Sequence, residues 1–168
     1  MLGAIIAVEG MAATSANHLH HLVSVLSPLT DQVVLLGGTE ADSALQQIPV
    51  SRGMSELGAV AAALARAGGD HALVVAADLR WPSPELLAYM TMIRAGHEAV
   101  VPEGPDGLPQ PLLAIYHGKV AGRAQGLAAS GERNLRALLG AVQVRRVSVD
   151  EVAKFGEPRR LLERGPIA

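Results

Sequence analysis

The chain has 168 residues, 49% of them hydrophobic, and a formal net charge of -2, which suits one domain with a real buried core. Near-neutral charge and only 2% aromatic residues argue against nucleic-acid binding, which needs clustered cations or stacking platforms. The absence of cysteine excludes disulfides and thiolate metal sites, and no apolar run approaches the length of a membrane span, so a cytoplasmic protein is expected.

Strand and helix patterns alternate along the chain. The opening MLGAIIAVEG has no basic leader and meets Glu9 early, so Ala4 to Val8 reads as a first strand rather than a signal peptide. Ser15 to Leu26 reads as a helix with Leu19, Leu22, Val23 and Leu26 on one face, stopped by Pro28. Gln32 to Leu36 is a second buried strand closed by Gly37-Gly38, and a short helix is expected over Glu40 to Gln46. Ser55 caps a helix running to Ala67, which Gly68-Gly69 ends. Leu73 to Ala77 is an apolar run short enough for a strand buried on both faces. A turn follows, then Ser83 as N-cap, Pro84 at the first helical position and a helix extending to Gly96.

Ala99 to Val101 and Leu112 to Tyr116 read as antiparallel strands around the turn Gly104-Pro105-Asp106-Gly107. Helical patterns over Lys119 to Ala129 and Glu132 to Leu139 precede a last strand, Val142 to Val147, and a tail without a clear pattern. Repeated βα alternation with one late hairpin predicts an α/β three-layer domain spanning residues 1–168, its sheet mainly parallel with one antiparallel strand.

Charge is distributed unevenly. Residues 1 to 51 contain Glu9, Asp31, Glu40 and Asp42 but no Lys or Arg. Arg123, Arg133, Arg136, Arg145, Arg146, Arg159, Arg160 and Arg164 gather in the last third, where solvated helix faces are the expected reading and an anion-attracting surface the sharper one.

Asp78 is the leading site candidate. It ends a buried strand, where open α/β sheets bind ligands, and a carboxylate there suits Mg²⁺ with substrate phosphates. The competing reading is an Asp that caps the turn before Trp81. The turn after the first strand, Val8 to Ser15, occupies a natural phosphate-cradle position, yet it has one glycine, Gly10, no cation, and Glu9 within it. It is neither a P-loop nor a G-x-G-x-x-G, and a structural turn is the stronger reading. His18 and His21 share a helix face at zinc-compatible spacing, but no third ligand lies nearby and the histidines are expected at solvent or the crevice edge. Trp81 either stacks on a flat ligand or packs the turn onto the sheet. Glu132 and Arg136 form an expected i, i+4 pair. There is no G-x-S-x-G elbow and no H-E-x-x-H, so hydrolase chemistry has no support.

The segments DQVVLLGG, RGMSELGAVAAAL, VVAADLRWPSPELL, VPEGPDGLPQPLLAIY and SGERNLRALL, in this order and spacing, resemble the molybdenum cofactor guanylyltransferases, a MobA-like nucleotidyltransferase family. The resemblance implies a Rossmann-like nucleotidyltransferase fold that binds GTP and Mg²⁺, transfers GMP to a molybdopterin phosphate and releases pyrophosphate. It implies that Asp78 is the catalytic metal ligand, and that Ala7, Val8, Gly10 and Gly58 contact the nucleotide. It also places Gln110-Pro111 where the family meets its acceptor.

The departures fall on working parts. Where the family has L-A-G-G-x-S-x-R-M-G-x-D-K, this chain has Ala7-Val8-Glu9-Gly10 and no R-M-G-x-D-K. Ser51 or Arg52 stands where a carboxylate precedes the G-P-L-A-G turn. The C-terminal N-x-N-T-P-E-D corresponds to Leu162-Glu163-Arg164-Gly165-Pro166-Ile167-Ala168, without either asparagine. Two readings follow: a nucleotidyltransferase with a degenerate phosphate loop, or a non-catalytic relative that binds a pterin-type ligand or a protein partner.

Overall fold

A computed structural model describes residues 1–11, 14–38 and 45–166. Among these described residues, seven strands form one sheet in the order β3-β2-β1-β4-β6-β5-β7. They are β1 (Leu2–Ala7), β2 (Gln32–Gly37), β3 (Gln46–Ile48), β4 (His71–Ala76), β5 (Ala99–Pro102), β6 (Leu113–His117) and β7 (Val144–Val147). Pairing is parallel except at β6, which runs antiparallel to both β4 and β5. The expected mixed α/β sheet with one reversed strand is therefore the observed one.

The helices are α1 (Ala16–Leu26), α2 (Glu56–Ala67), α3 (Pro84–Met92), α4 (Ala121–Ala129), α5 (Leu135–Gly140), α6 (Val149–Ala153) and α7 (Pro158–Leu161). Alternate residues along each strand face opposite layers. Ala4, Ile6, Val34, Leu36, Val74 and Ala76 pack under α2, α4 and α5. Ile5, Leu35, Leu73, Val75, Val100 and Ile115 pack under α1, α3 and Val152 of α6. Because both faces are covered, the strands read as continuous apolar runs rather than alternating ones. The Ala-rich sequence of α2 allows close approach to the sheet, and Ala59, Ala61 and Ala63 are buried there.

The side-chain caps Ser15, Ser55 and Ser83 each accept from a backbone N–H in the first turn of α1, α2 and α3. Several expected boundaries need correction. Residues 40–44 of the helix expected over Glu40 to Gln46 lie outside the described residues, and Gln46 instead opens the short edge strand β3. Helix α1 ends at Leu26, as expected from Pro28, which sits in the following 3-10 turn, Ser27–Leu29. Helix α3 ends at Met92 with Ile93 as C-cap, short of Gly96. A 3-10 turn, Gly118–Val120, precedes α4. Helix α5 starts at Leu135 because Asn134 supplies the cap, its side chain accepting from the Arg136 N–H. The Glu132 carboxylate accepts from the Arg133 and Asn134 N–H groups rather than pairing with Arg136. The tail forms α6, opened by a Ser148–Glu151 capping box, and α7.

No helix among the described residues is long and apolar enough to cross a membrane.

Candidate functional site

Strand order fixes where a ligand crevice lies. The chain goes from β1 outward to β2 and β3, then returns to the other side of β1 as β4. The β1/β4 junction is thus the topological switch point, and ligands of open α/β sheets bind outside the carboxyl ends there. Ile6 of β1 is level with Ala76 of β4, and the Ala77 N–H donates to the Ile6 carbonyl at 2.8 Å. The two strand-end turns, Val8 onward and Ala77 onward, therefore leave the sheet side by side.

Asp78 sits in the second turn and is only 5% exposed. It is neither a surface cap nor an open ligand. The Arg164 guanidinium donates from Nε to Oδ1 at 2.7 Å and from Nη2 to Oδ2 at 3.4 Å. Arg164 Nη1 also lies 3.8 Å from Glu56 Oε1 at the start of α2. Residues 163–165 run antiparallel along residues 78–80: the Arg80 N–H donates to the Glu163 carbonyl at 2.9 Å, and the Gly165 N–H to the Asp78 carbonyl at 3.0 Å. The Glu163 carboxylate is held by Arg80 Nη1 at 2.8 Å and by Trp81 Nε1 at 3.1 Å. Arg160 lies over the Trp81 ring, 4.8 Å from its centroid. Trp81 thus ties the turn to the 163–165 strap instead of packing it onto the sheet.

Helix α1 and the residue before its N-cap fix the same turn from the other side. Thr14 Oγ1 donates to the Ala77 carbonyl at 2.9 Å, and His18 Nε2 bonds the Leu79 carbonyl at 2.7 Å. His18 is 7% exposed, which corrects the expectation that all three histidines face solvent or the crevice edge. Burial lowers its pKa, so the ring is neutral and the carbonyl partner places its proton on Nε2. His20 and His21 are exposed, and no group of three or more His, Cys, Asp or Glu residues able to hold a metal occurs among the described residues.

The remaining sequence candidates lie on the same edge with different roles. Ala7 ends β1 beside Gly37, whose φ is +84° and where any Cβ would overlap the Ala7 carbonyl oxygen. Val8 is buried in the core beneath α2, so its side chain faces inward. Gly10 is exposed with φ +93°. The Glu9 carboxylate turns toward the 51–54 loop and accepts from the Gly53 N–H at 2.9 Å. The Gly58 N–H donates to the Ser55 cap at 3.1 Å.

A cavity of about 210 Å³ opens on the β6 side of the Asp78 turn. Glu56, Gln110, Asn134, Arg136, Leu162 and Arg164 contribute to its wall. The buried Tyr116 supports this wall, donating its hydroxyl to the Pro111 carbonyl at 2.7 Å. Three of the other C-terminal arginines are matched by carboxylates: Arg123 with Glu98, Arg145 with Glu151, and Arg146 with Glu103. These three are therefore not free to attract an anion.

The family of the MobA-like NTP transferase domain matches residues 11–147. The chain belongs to this family. A probable molybdenum cofactor guanylyltransferase of Methanothermobacter thermautotrophicus is 29% identical over 145 residues, which are 84% of this MobA-like chain and 73% of the relative. One of the same description from Pelotomaculum thermopropionicum is 32% identical over 102 residues, 58% of this chain and 49% of the relative. Among solved structures, molybdopterin-guanine dinucleotide biosynthesis protein A of Archaeoglobus fulgidus superposes with TM-score 0.75 at 22% identity, over 96% of this chain and 89% of that one. The 2-C-methyl-D-erythritol 4-phosphate cytidylyltransferase of Thermus thermophilus superposes with TM-score 0.64 at 16% identity, over 86% of this chain and 87% of that one. At these identities the superpositions establish a shared fold.

Family membership implies a nucleotide substrate, and the resemblance implies Mg²⁺ at Asp78. The residues as arranged do not fit that ion. Mg²⁺ needs oxygen ligands in a near-octahedral shell, and both Asp78 oxygens are engaged by a guanidinium. The segment carrying Arg164 lies beyond the matched residues. Sequence reasoning missed this pairing. Its one visible sign is an arginine in the stretch corresponding to the family's N-x-N.

Proposed function

We propose that this MobA-like domain binds a phosphorylated ligand, a guanine nucleotide or a pterin phosphate of the molybdopterin type, in the crevice beside Asp78, without performing metal-dependent GMP transfer. The reading rests on the layout of charge at the sheet edge. The turn after β1 brings Glu9 and no cation, so roughly four negative charges of a triphosphate would meet no neutralising group there. Arginines instead line the cavity on the β6 side of Asp78, at Arg136 and Arg164. Arginine matches phosphate in a planar, two-pronged geometry, and its charge is permanent. The cavity is smaller than the ~300–1,000 Å³ of sites that enclose a drug-sized molecule, so it suits the phosphorylated end of a ligand whose remainder lies along the open crevice.

Calorimetric titration with GTP, CTP and ATP, each with and without Mg²⁺, tests this. Micromolar binding of one nucleotide, weakened in Arg136→Ala and unaccompanied by pyrophosphate release when molybdopterin is added, supports it. No binding of any nucleotide or of molybdopterin up to millimolar concentration refutes it.

A second reading, GMP transfer to molybdopterin in molybdenum cofactor biosynthesis, is favoured by the retained Asp78 in the turn after β4 and by the names of the relatives. Pyrophosphate release from GTP that depends on molybdopterin and is abolished in Asp78→Ala would establish it over the first.

A further inference from the structure

Arg164 is held in place by more than its bond to Asp78. Its backbone belongs to the antiparallel strap fixed by the Arg80–Glu163 and Gly165–Asp78 hydrogen bonds. The neighbouring Glu163 side chain is bound by both Arg80 and Trp81. The guanidinium faces two carboxylates from separate elements, Asp78 after β4 and Glu56 at the start of α2. Swinging Arg164 aside would leave Asp78, 5% exposed, without its partner. A divalent ion entering beside the guanidinium would meet a permanent positive charge on the same carboxylate.

We propose that Arg164 is a built-in cation that replaces the divalent metal at Asp78, so that this site excludes Mg²⁺ and presents a fixed guanidinium to the phosphate of its ligand. The proposal rests on the reading that the crevice beside Asp78 is the ligand site, but exclusion of the metal is independent of which ligand binds. Nε and Nη2 are committed to Asp78, whereas Nη1 is 3.8 Å from Glu56 Oε1 and Arg164 also lines the cavity. The ligand class is accordingly a phosphate ester bound without a metal. The charge lost from the turn after β1 is met at the opposite end of the sequence.

The test uses Mn²⁺ alone, followed by the loss of its free-ion electron paramagnetic resonance signal on titration with full-length protein. The wild-type chain should show no Mn²⁺ binding that differs from Asp78→Asn up to millimolar concentration. Arg164→Gln removes the charge but keeps a donor for Asp78, and should gain Asp78-dependent Mn²⁺ binding tightened at least about tenfold, the scale on which neighbouring groups alter metal affinity. Asp78-dependent Mn²⁺ binding by the wild type overturns the proposal, and so does a folded Arg164→Gln chain with no gain. If that variant does not fold, the wild-type comparison with Asp78→Asn still decides. Failure of nucleotide binding would sink the proposed function while leaving the Mn²⁺ result intact, so the two are separable.

Discussion

Replacing Arg164 by Gln should destabilise the folded chain by about 2–3 kcal/mol. Surface ion pairs contribute ~0–1 kcal/mol, whereas stripping one partner from a fully buried pair costs ~3–5 kcal/mol. The Asp78 side chain is 7% exposed and that of Arg164 33% exposed, which places the pair between those limits and nearer the buried one. The Asp78→Asn change should cost less, about 1–2 kcal/mol, because the residual guanidinium is partly solvated and the amide oxygen still accepts. If the two side chains act as one unit, the double variant should fall short of the summed single losses by about 1–2 kcal/mol. For a chain of this size, 1 kcal/mol moves Tm by roughly 2–4 °C, so Arg164→Gln should melt about 4–12 °C lower. Urea unfolding followed by circular dichroism gives the free energies. Fluorescence of Trp81, the single tryptophan, reports the strap directly because its Nε1 is bound to Glu163. A Tm within about 1 °C of wild type, or strictly additive losses, would refute the claim that this pair is a buried, coupled unit.

Gly37→Ala should destabilise by about 2–4 kcal/mol, because φ is +84° there and a Cβ would overlap the Ala7 carbonyl; urea unfolding measures it, and a near-neutral effect would contradict the close approach. His18 has a pKa lowered chiefly by burial, so the unfolded chain binds the extra proton first; stability should fall as pH drops below about 6.5 toward the lowered value, and Tm against pH should flatten in His18→Phe. Burial lowers His71 in the same direction, so part of the slope should persist in that variant. Glu151 is pulled down to about 2 chiefly by Arg145, with Tyr89 and the Ser148 N–H also bonded to it. Its contribution is therefore present above the unfolded pKa near 4.5 and lost as pH falls toward 2, and Glu151→Gln should cost about 1–3 kcal/mol at neutral pH with a shallower acid limb in denaturant titrations.

The layered fold was legible because burial on both faces leaves a direct mark, apolar runs punctuated by Ser caps and Gly turns, and Ser15, Ser55 and Ser83 fall where the helices begin. Strand β3 was not legible: Gln46, Gln47 and Ile48 form a short, largely exposed edge with no apolar alternation to announce it. Helix α6 is announced only by the S-x-x-E of Ser148 and Glu151, a four-residue signal within a tail that lacks apolar periodicity. His18 was readable too, since it lies one turn from the buried Leu22 and beside Leu19 on the core-facing stripe. Position was legible for Asp78, in the turn after β4, but its state was not. What decides that state is a residue 86 positions away, and local pattern contains no record of such a meeting.

The short turn bearing Asp78 is fastened by contacts separated by 61, 63 and 86 residues along the chain. Closing loops of that size carries an entropic cost that is met only once the surrounding scaffold stands, so these clasps should form late in folding. In the native ensemble the order reverses: detaching the strap breaks few apolar contacts, so it should open without melting the sheet. Amide exchange at Arg80 and Gly165, whose N–H groups make the strap bonds, should therefore run well ahead of exchange at Val74 and Val75 in β4. A phosphate would meet Arg164 in the cavity that already stands open, whereas a metal ion could reach the Asp78 oxygens only at the opening frequency of this clasp.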